Sequence, residues 1–125
     1  MKKVMLVMYR KFIAQNLVKS MTDNSRFEFF TEYNYKNAPA AANFFEPSLA
    51  LVEIPESESG QAMDYIAVCA KIKKAAPRCK LMLFFSENSP ESKSAAIAAK
   101  RLGELDDFVF FDTSWNYLVS KIEAL

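Results

Sequence analysis

The chain has 125 residues, 51% of them hydrophobic and 25% charged, and its 16 Lys plus Arg against 15 Asp plus Glu leave a net charge of +1. That length suits one domain, 1–125, with a self-sufficient core, and so even a balance does not announce a nucleic-acid-binding surface. Histidine is absent and glycine occurs only at Gly60 and Gly103, which excludes His-dependent hydrolysis, His-ligated zinc and a glycine-built phosphate cradle.

Residues 4–8 form the first apolar run, broken by Tyr9-Arg10-Lys11. The run is too short for a signal peptide or a membrane span of about 20 residues. Ile13, Leu17 and Met21 then recur at helical spacing, with Phe12 and Val18 widening the stripe. The second run, 27–31, has a polar residue inside it and suits a sheet edge. A short helix follows, with Asn37 as cap, Pro39 in the first turn and Ala41, Ala42, Phe44 and Phe45 ahead of Pro47. After the third run, 49–54, a helix is predicted from about Ser59, with Met63, Ile66, Ala67 and Ala70 on its inner face and Pro77 beyond its end. The fourth run, 81–85, precedes a helix opened by Pro90-Glu91, with Ala95, Ala96, Ala99 and Leu102 facing inward and Gly103 as its stop. The last run, 108–111, leads to a helix from Ser114 with Trp115, Leu118, Val119, Ile122 and Leu125 in one stripe.

Alternating strands and helices, with most strands continuously apolar, predict an α/β fold: a three-layer α/β/α sandwich around a five-stranded parallel sheet. Its working groups should gather at the carboxyl ends of the strands, in residues 8–11, 53–55, 86–88 and 111–113. Cys69 and Cys79 fit no C-x-x-C motif and flank apolar runs, so they read as buried free thiols of a cytoplasmic protein.

Three segments carry a resemblance: Lys3-Val4-Met5-Leu6-Val7 followed by Met8-Tyr9, Ser48-Leu49-Ala50-Leu51-Val52-Glu53, and Gly103 followed by Asp106-Asp107-Phe108. With the element order they make nearly the whole chain resemble the CheY-like (flavodoxin-like) receiver domain of bacterial response regulators. The resemblance implies strand order 2-1-3-4-5. It also implies that the acidic pair which holds Mg²⁺ falls on Met8 and Tyr9, the phospho-accepting aspartate on Glu53, the hydroxyl on Ser86, the lysine on Phe111 and the switch aromatic on Phe108. A thioether, a phenol and two following cations make a poor site for a hard cation, so Mg²⁺ is not expected. Neither is phosphoryl transfer, which depends on positioning and charge neutralisation.

The chain therefore reads as a degenerate, non-enzymatic receiver acting through protein contacts. The alternative is an unusual phospho-receiver with Glu53 as acceptor. A small flavodoxin-like enzyme or cofactor carrier is the weakest reading, because residues 9–12 offer no Ser, Thr or Gly donors. Glu53 is expected to pair with Arg10 or Lys11, weighed against mimicry of a phosphorylated aspartate and against a divalent-ion site with Glu56, Glu58 and Asp112. Phe111 is expected to fill the vacated pocket beside Tyr9 and Phe85. The fourth helix, fifth strand and fifth helix are the candidate docking face, with Arg101, Asp106, Asp107, Trp115 and Tyr117 as contacts for a homodimer or another protein. Tyr33-Asn34-Tyr35 should be exposed. The basic group Lys71, Lys73, Lys74, Arg78 and Lys80 reads as charge at a helix C-terminus rather than a nucleic-acid site.

Overall fold

A computed structural model describes residues 2–21 and 26–125. Strands β1 (Lys2–Val7), β2 (Phe27–Glu32), β3 (Leu49–Glu53), β4 (Lys80–Phe85) and β5 (Asp107–Phe110) alternate with helices α1 (Lys11–Met21), α2 (Ala38–Phe45), α3 (Ala62–Ala75), α4 (Pro90–Arg101) and α5 (Trp115–Ala124). Every strand pairing is parallel. The order is β2-β1-β3-β4-β5, with β2 at an edge, as the alternation and the resemblance predicted.

Successive residues of a strand face opposite sides of the sheet, and right-handed crossovers supply helices to both. On one side Ala14, Leu17 and Met21 of α1 and Leu118 and Ile122 of α5 pack on Val4, Leu6, Leu49, Leu51, Met82 and Phe84. On the other, Ala38 and Ala42 of α2, Ile66, Cys69 and Ile72 of α3, and Ala96 and Ala99 of α4 pack on Met5, Val7, Ala50, Val52, Leu83 and Phe85. This is why β3 is buried along its whole length and why its sequence does not alternate.

Helix ends follow their capping residues. The Ser89 hydroxyl accepts the Ser92 N–H at 3.2 Å, and the Ser114 hydroxyl accepts the Tyr117 N–H at the same distance, so each satisfies a first-turn donor. Asn37 occupies the cap position of α2 without a side-chain bond. Asn34 does the capping one turn earlier, accepting the Lys36 N–H at 3.1 Å. Gly103 ends α4 with φ 78°, and the N–H groups of Gly103 and Glu104 return to the carbonyls of Lys100 and Ala99.

Several predicted inner faces are corrected. Residues Glu56–Gln61 form 3-10 turns, α3 starts at Ala62, and its buried stripe is Ala62, Ile66, Cys69 and Ile72. Met63, Ala67 and Ala70 face solvent, because Cys69 and Ile72 bring more apolar area to the sheet than two alanines do. Phe12, Phe44 and Leu102 are likewise exposed, while Ala14, Ala42 and Ser92 lie beneath their helices. Both cysteines are free and buried. Burial raises both thiols, Cys79 to about 12, so both stay protonated. No helix among the described residues is long and apolar enough to cross a membrane.

Gly103 has open space where a Cβ would stand, so only its left-handed backbone resists substitution. Gly103→Ala should lower unfolding stability by about 1 kcal/mol, read from the urea midpoint.

Candidate functional site at the strand carboxyl ends

Leu49, Leu51 and Glu53 alternate onto the α1–α5 side of β3, and Glu53 is the strand's last residue. Its side chain is completely buried, 0% exposed. The start of α1 lies beside it, where the first N–H groups have no intrahelical acceptor. Glu53 Oε1 accepts the Tyr9 N–H at 2.7 Å and the Arg10 N–H at 3.1 Å. Oε2 accepts Arg10 Nε–H at 2.5 Å. The carboxylate thus meets a cation and a helix amino end together, both of which favour negative charge.

Of the two predicted cations, Arg10 makes the pair; Lys11 lies over the Tyr33 ring at 5.2 Å. The Glu53 main chain is held as well, its carbonyl accepting the Tyr35 O–H at 2.6 Å. Tyr35 stands edge-on to Tyr65, with ring centroids 5.3 Å apart. Burial, and after it the charge of Glu53, push the Tyr35 phenol far above its usual value, so it stays a donor. This corrects the expectation of an exposed Tyr33-Asn34-Tyr35 loop: Tyr33 and Asn34 are exposed, but Tyr35 is half-buried. The tertiary contacts with Glu53 and Tyr65 distinguish Tyr35 from its neighbours.

Phe111 is also corrected. It lies across the sheet from Phe85, edge-on to Phe84 at 4.9 Å, while Tyr9 is 65% exposed. The alternation of β4 puts Phe84 and Phe85 on opposite faces, and Phe111 joins the α1–α5 side. Arg10 packs against Phe111 on that same side. Its guanidinium stands 4.2 Å from the Phe111 ring centroid, held between an aromatic face and a buried carboxylate.

The other rim residues are spoken for. The Met8 thioether is buried in the same core as Leu6 and Phe84. Ser86 is buried, and its hydroxyl accepts the Asn88 N–H at 3.2 Å within the turn into α4. Glu87 and Asp112, both in predicted strand-end segments, are neighbouring carboxyls. The Asp112 carboxyl beside it raises the Glu87 carboxyl. Among the described residues no group of three or more Asp, Glu, Cys or His side chains converges as a metal site, so Glu53, Glu56, Glu58 and Asp112 are not brought together.

No protein-family model matches the sequence, and no curated protein matches it. Solved structures do. A DNA-binding response regulator of the LuxR family from Staphylococcus aureus superposes with a TM-score of 0.76 at 16% identity, over 99% of this chain and 98% of that one. The chemotaxis protein CheY4 of Vibrio cholerae gives 0.75 at 17% identity, over 99% and 98%. An adenylate cyclase from Rhodopirellula baltica gives 0.81 at 17% identity, over 98% and 85%. The chain has the receiver fold of response regulators.

In this receiver fold the α4–β5–α5 face is welded from inside. Asp107 binds Lys100 of α4 at 3.2 Å and also Lys121 of α5, and accepts its neighbour's Phe108 N–H at 2.9 Å. Phe108, half-buried, stacks on Phe85 with centroids 5.7 Å apart. Asp106 is occupied as well: its Oδ2 accepts the Leu81 N–H at 2.8 Å, and Lys80 lies 3.8 Å from Oδ1. Both carboxylates therefore have partners within the chain. Arg101, Trp115 and Tyr117 are exposed. In the basic group, Lys73 donates to the Cys79 carbonyl at 2.8 Å, so part of that charge serves the end of α3.

Removing the cation from a buried carboxylate is costly. Arg10→Ala should destabilise by about 2–3 kcal/mol in urea unfolding, below the fully buried range because Arg10 is 38% exposed,. Adding Glu53→Gln should recover most of that loss, since the amide oxygen still accepts the two N–H groups.

Burial works to raise the Asp107 carboxyl, but hydrogen bonds from Lys121, the Phe108 N–H and Lys100 outweigh it and hold the group below its usual value. Lys121, despite desolvation, is raised by Asp107. A lowered carboxyl contributes stability above its unfolded pKa of about 3.9 and loses it as pH falls through the folded value. A raised lysine contributes below about 10.4 and loses it as pH rises past that. Asp107→Asn should therefore cost about 1 kcal/mol at pH 7, with the difference from the parent vanishing toward pH 2–3 in acid titration.

Proposed function

We propose that this chain is a degenerate receiver, which works in signal transduction by phosphorylation-independent protein–protein contact and not as an enzyme. The observation that carries the reading is the closed carboxylate of Glu53. Phosphoryl transfer to a carboxylate needs a free oxygen in line with the donor, a divalent cation to neutralise the transferring group and a fixed positive partner. Both oxygens of Glu53 already accept bonds from Arg10 and the Tyr9–Arg10 main chain. At the acidic-pair positions, Met8 is buried among apolar groups and Tyr9 points to solvent. These residues do not make an oxygen donor set for Mg²⁺, and we infer that none is bound.

The internal neutralisation by Arg10 also argues against Glu53 serving as a fixed negative charge that imitates phosphorylation. Its charge is spent on α1 and does not reach the surface. The protein-binding role then falls to exposed side chains on the α4–β5–α5 face, with Arg101, Trp115 and Tyr117 the contacts to mutate first. Asp107 ties α4 and α5 to β5 beneath that face. Free, buried thiols fit a cytoplasmic setting.

Incubation with acetyl phosphate and Mg²⁺ should leave the intact mass unchanged, and beryllofluoride with Mg²⁺ should leave the amide NMR spectrum unchanged. A phosphoryl adduct mapped to Glu53 would instead establish the unusual phospho-receiver.

A further inference from the structure

The main chain of β2 alternates in which way it faces. The Arg26 and Glu32 carbonyls accept the Lys2 and Met8 N–H groups at 2.7 and 3.1 Å, and the register with β1 runs one-to-one from Phe27 to Glu32 without a bulge. In a parallel ladder the same alternation turns Glu28 and Phe30 toward β1. Phe27, Phe29 and Thr31 therefore direct both N–H and C=O to the outer edge, where no described strand lies. Edge strands are commonly guarded by Lys, Pro or a bulge. Phe-Glu-Phe-Phe-Thr-Glu contains neither residue and carries its charge only at Glu28 and Glu32, while its Phe30 is 38% exposed.

We propose that this edge pairs with β2 of a second copy of the chain, antiparallel about a two-fold axis at Phe29, so that the two sheets become one. The register follows from hydrogen bonding and charge. Outward-facing residues can pair only with outward-facing residues, so the axis must pass through a residue, and axes at Glu28, Phe29 or Phe30 overlap the most of β2. An axis at Glu28 sets that carboxylate against its own copy, and an axis at Phe30 sets Glu28 against Glu32 twice. An axis at Phe29 avoids both clashes. It places Phe29 against Phe29, Phe27 against Thr31, Glu28 against Phe30 and Arg26 against Glu32. Aromatic and opposite-charge pairs directly across antiparallel strands stabilise, and like charges there destabilise. Phe27 and Phe29 already lean on the α1–α5 core, and Phe30 packs on Phe45 of α2 with centroids 5.5 Å apart. Both apolar layers would continue across the axis, and the isologous contact closes on itself as a dimer.

Sedimentation of the full chain should show a reversible dimer at micromolar concentration. Thr31→Pro deletes an outward N–H and leaves the β1 ladder whole, so it should weaken dimerisation about tenfold or more, the bond being lost at two symmetric places. Phe29→Cys should form an intermolecular disulfide under copper–phenanthroline oxidation, because facing Cα atoms of a hydrogen-bonded pair stand about 5.5 Å apart. Thr31→Cys should not, since each Thr31 faces Phe27, and the native thiols are buried. A chain that stays monomeric at high micromolar concentration would overturn the pairing. So would a Thr31→Pro variant that dimerises as tightly as the parent, or Thr31→Cys cross-linking as readily as Phe29→Cys.

Discussion

A carboxylate without solvent contact sits at the end of a strand that is itself wholly buried, and the carboxyl-end rim is organised around neutralising it. Unpaired, Glu53 would carry a desolvation cost of several kcal/mol. The fold meets it with groups that the β1–α1 connection has to spare, namely main-chain N–H groups at a helix start and the adjacent arginine. That choice fixes the position of Arg10, which in turn lies against Phe111 after β5. One charge pair thereby ties the ends of β1, β3 and β5 together. The same contacts occupy both oxygens of the carboxylate.

The two faces of the sheet are built differently, and each difference has a local cause. The side covered by α2, α3 and α4 relies on small residues such as Ala38, Ala42, Ala62, Ala96 and Ala99, which lets three helices share it closely. Aromatic rings fill its carboxyl end, where Phe85 meets Phe108 and Phe110. The α1–α5 side has two helices and larger aliphatic contacts. Asp107 sits where β5 passes between α4 and α5 and holds a lysine from each, so the edge strand with the fewest neighbours receives an ionic clamp. At the opposite edge, β2 has its outward main-chain groups.

The elements that the sequence predicted well are those in which composition and period agree. Gly103, Ser114 and Pro90 mark helix ends for backbone reasons that hold in any context, and each stands where the residue type implied. Helix faces were less legible when the stripe was made of alanine. In α3, Met63–Ala67–Ala70 and Ala62–Ile66–Cys69 are adjacent stripes of similar apolar content, and a helix can turn either inward until the sheet beneath selects one. Phe12 and Phe44 show the converse, since a large ring on a helix need not face the core.

Alternation of buried strands with helices, the exclusion of His- and Gly-dependent chemistry, the thioether and phenol at Met8 and Tyr9 and the presence of a lone acid at Glu53 were all determined by the amino-acid order. These depend on residue type and short-range spacing, which the chain carries without folding. The tertiary structure alone decided which cation pairs with Glu53, that Phe111 lies with Phe84 rather than Phe85, that Tyr35 turns inward, and that Asp106 and Asp107 are used within the chain. Each of those outcomes joins residues from different elements, and a side chain's partner across a sheet is set by strand parity and helix rotation together, neither of which is written locally.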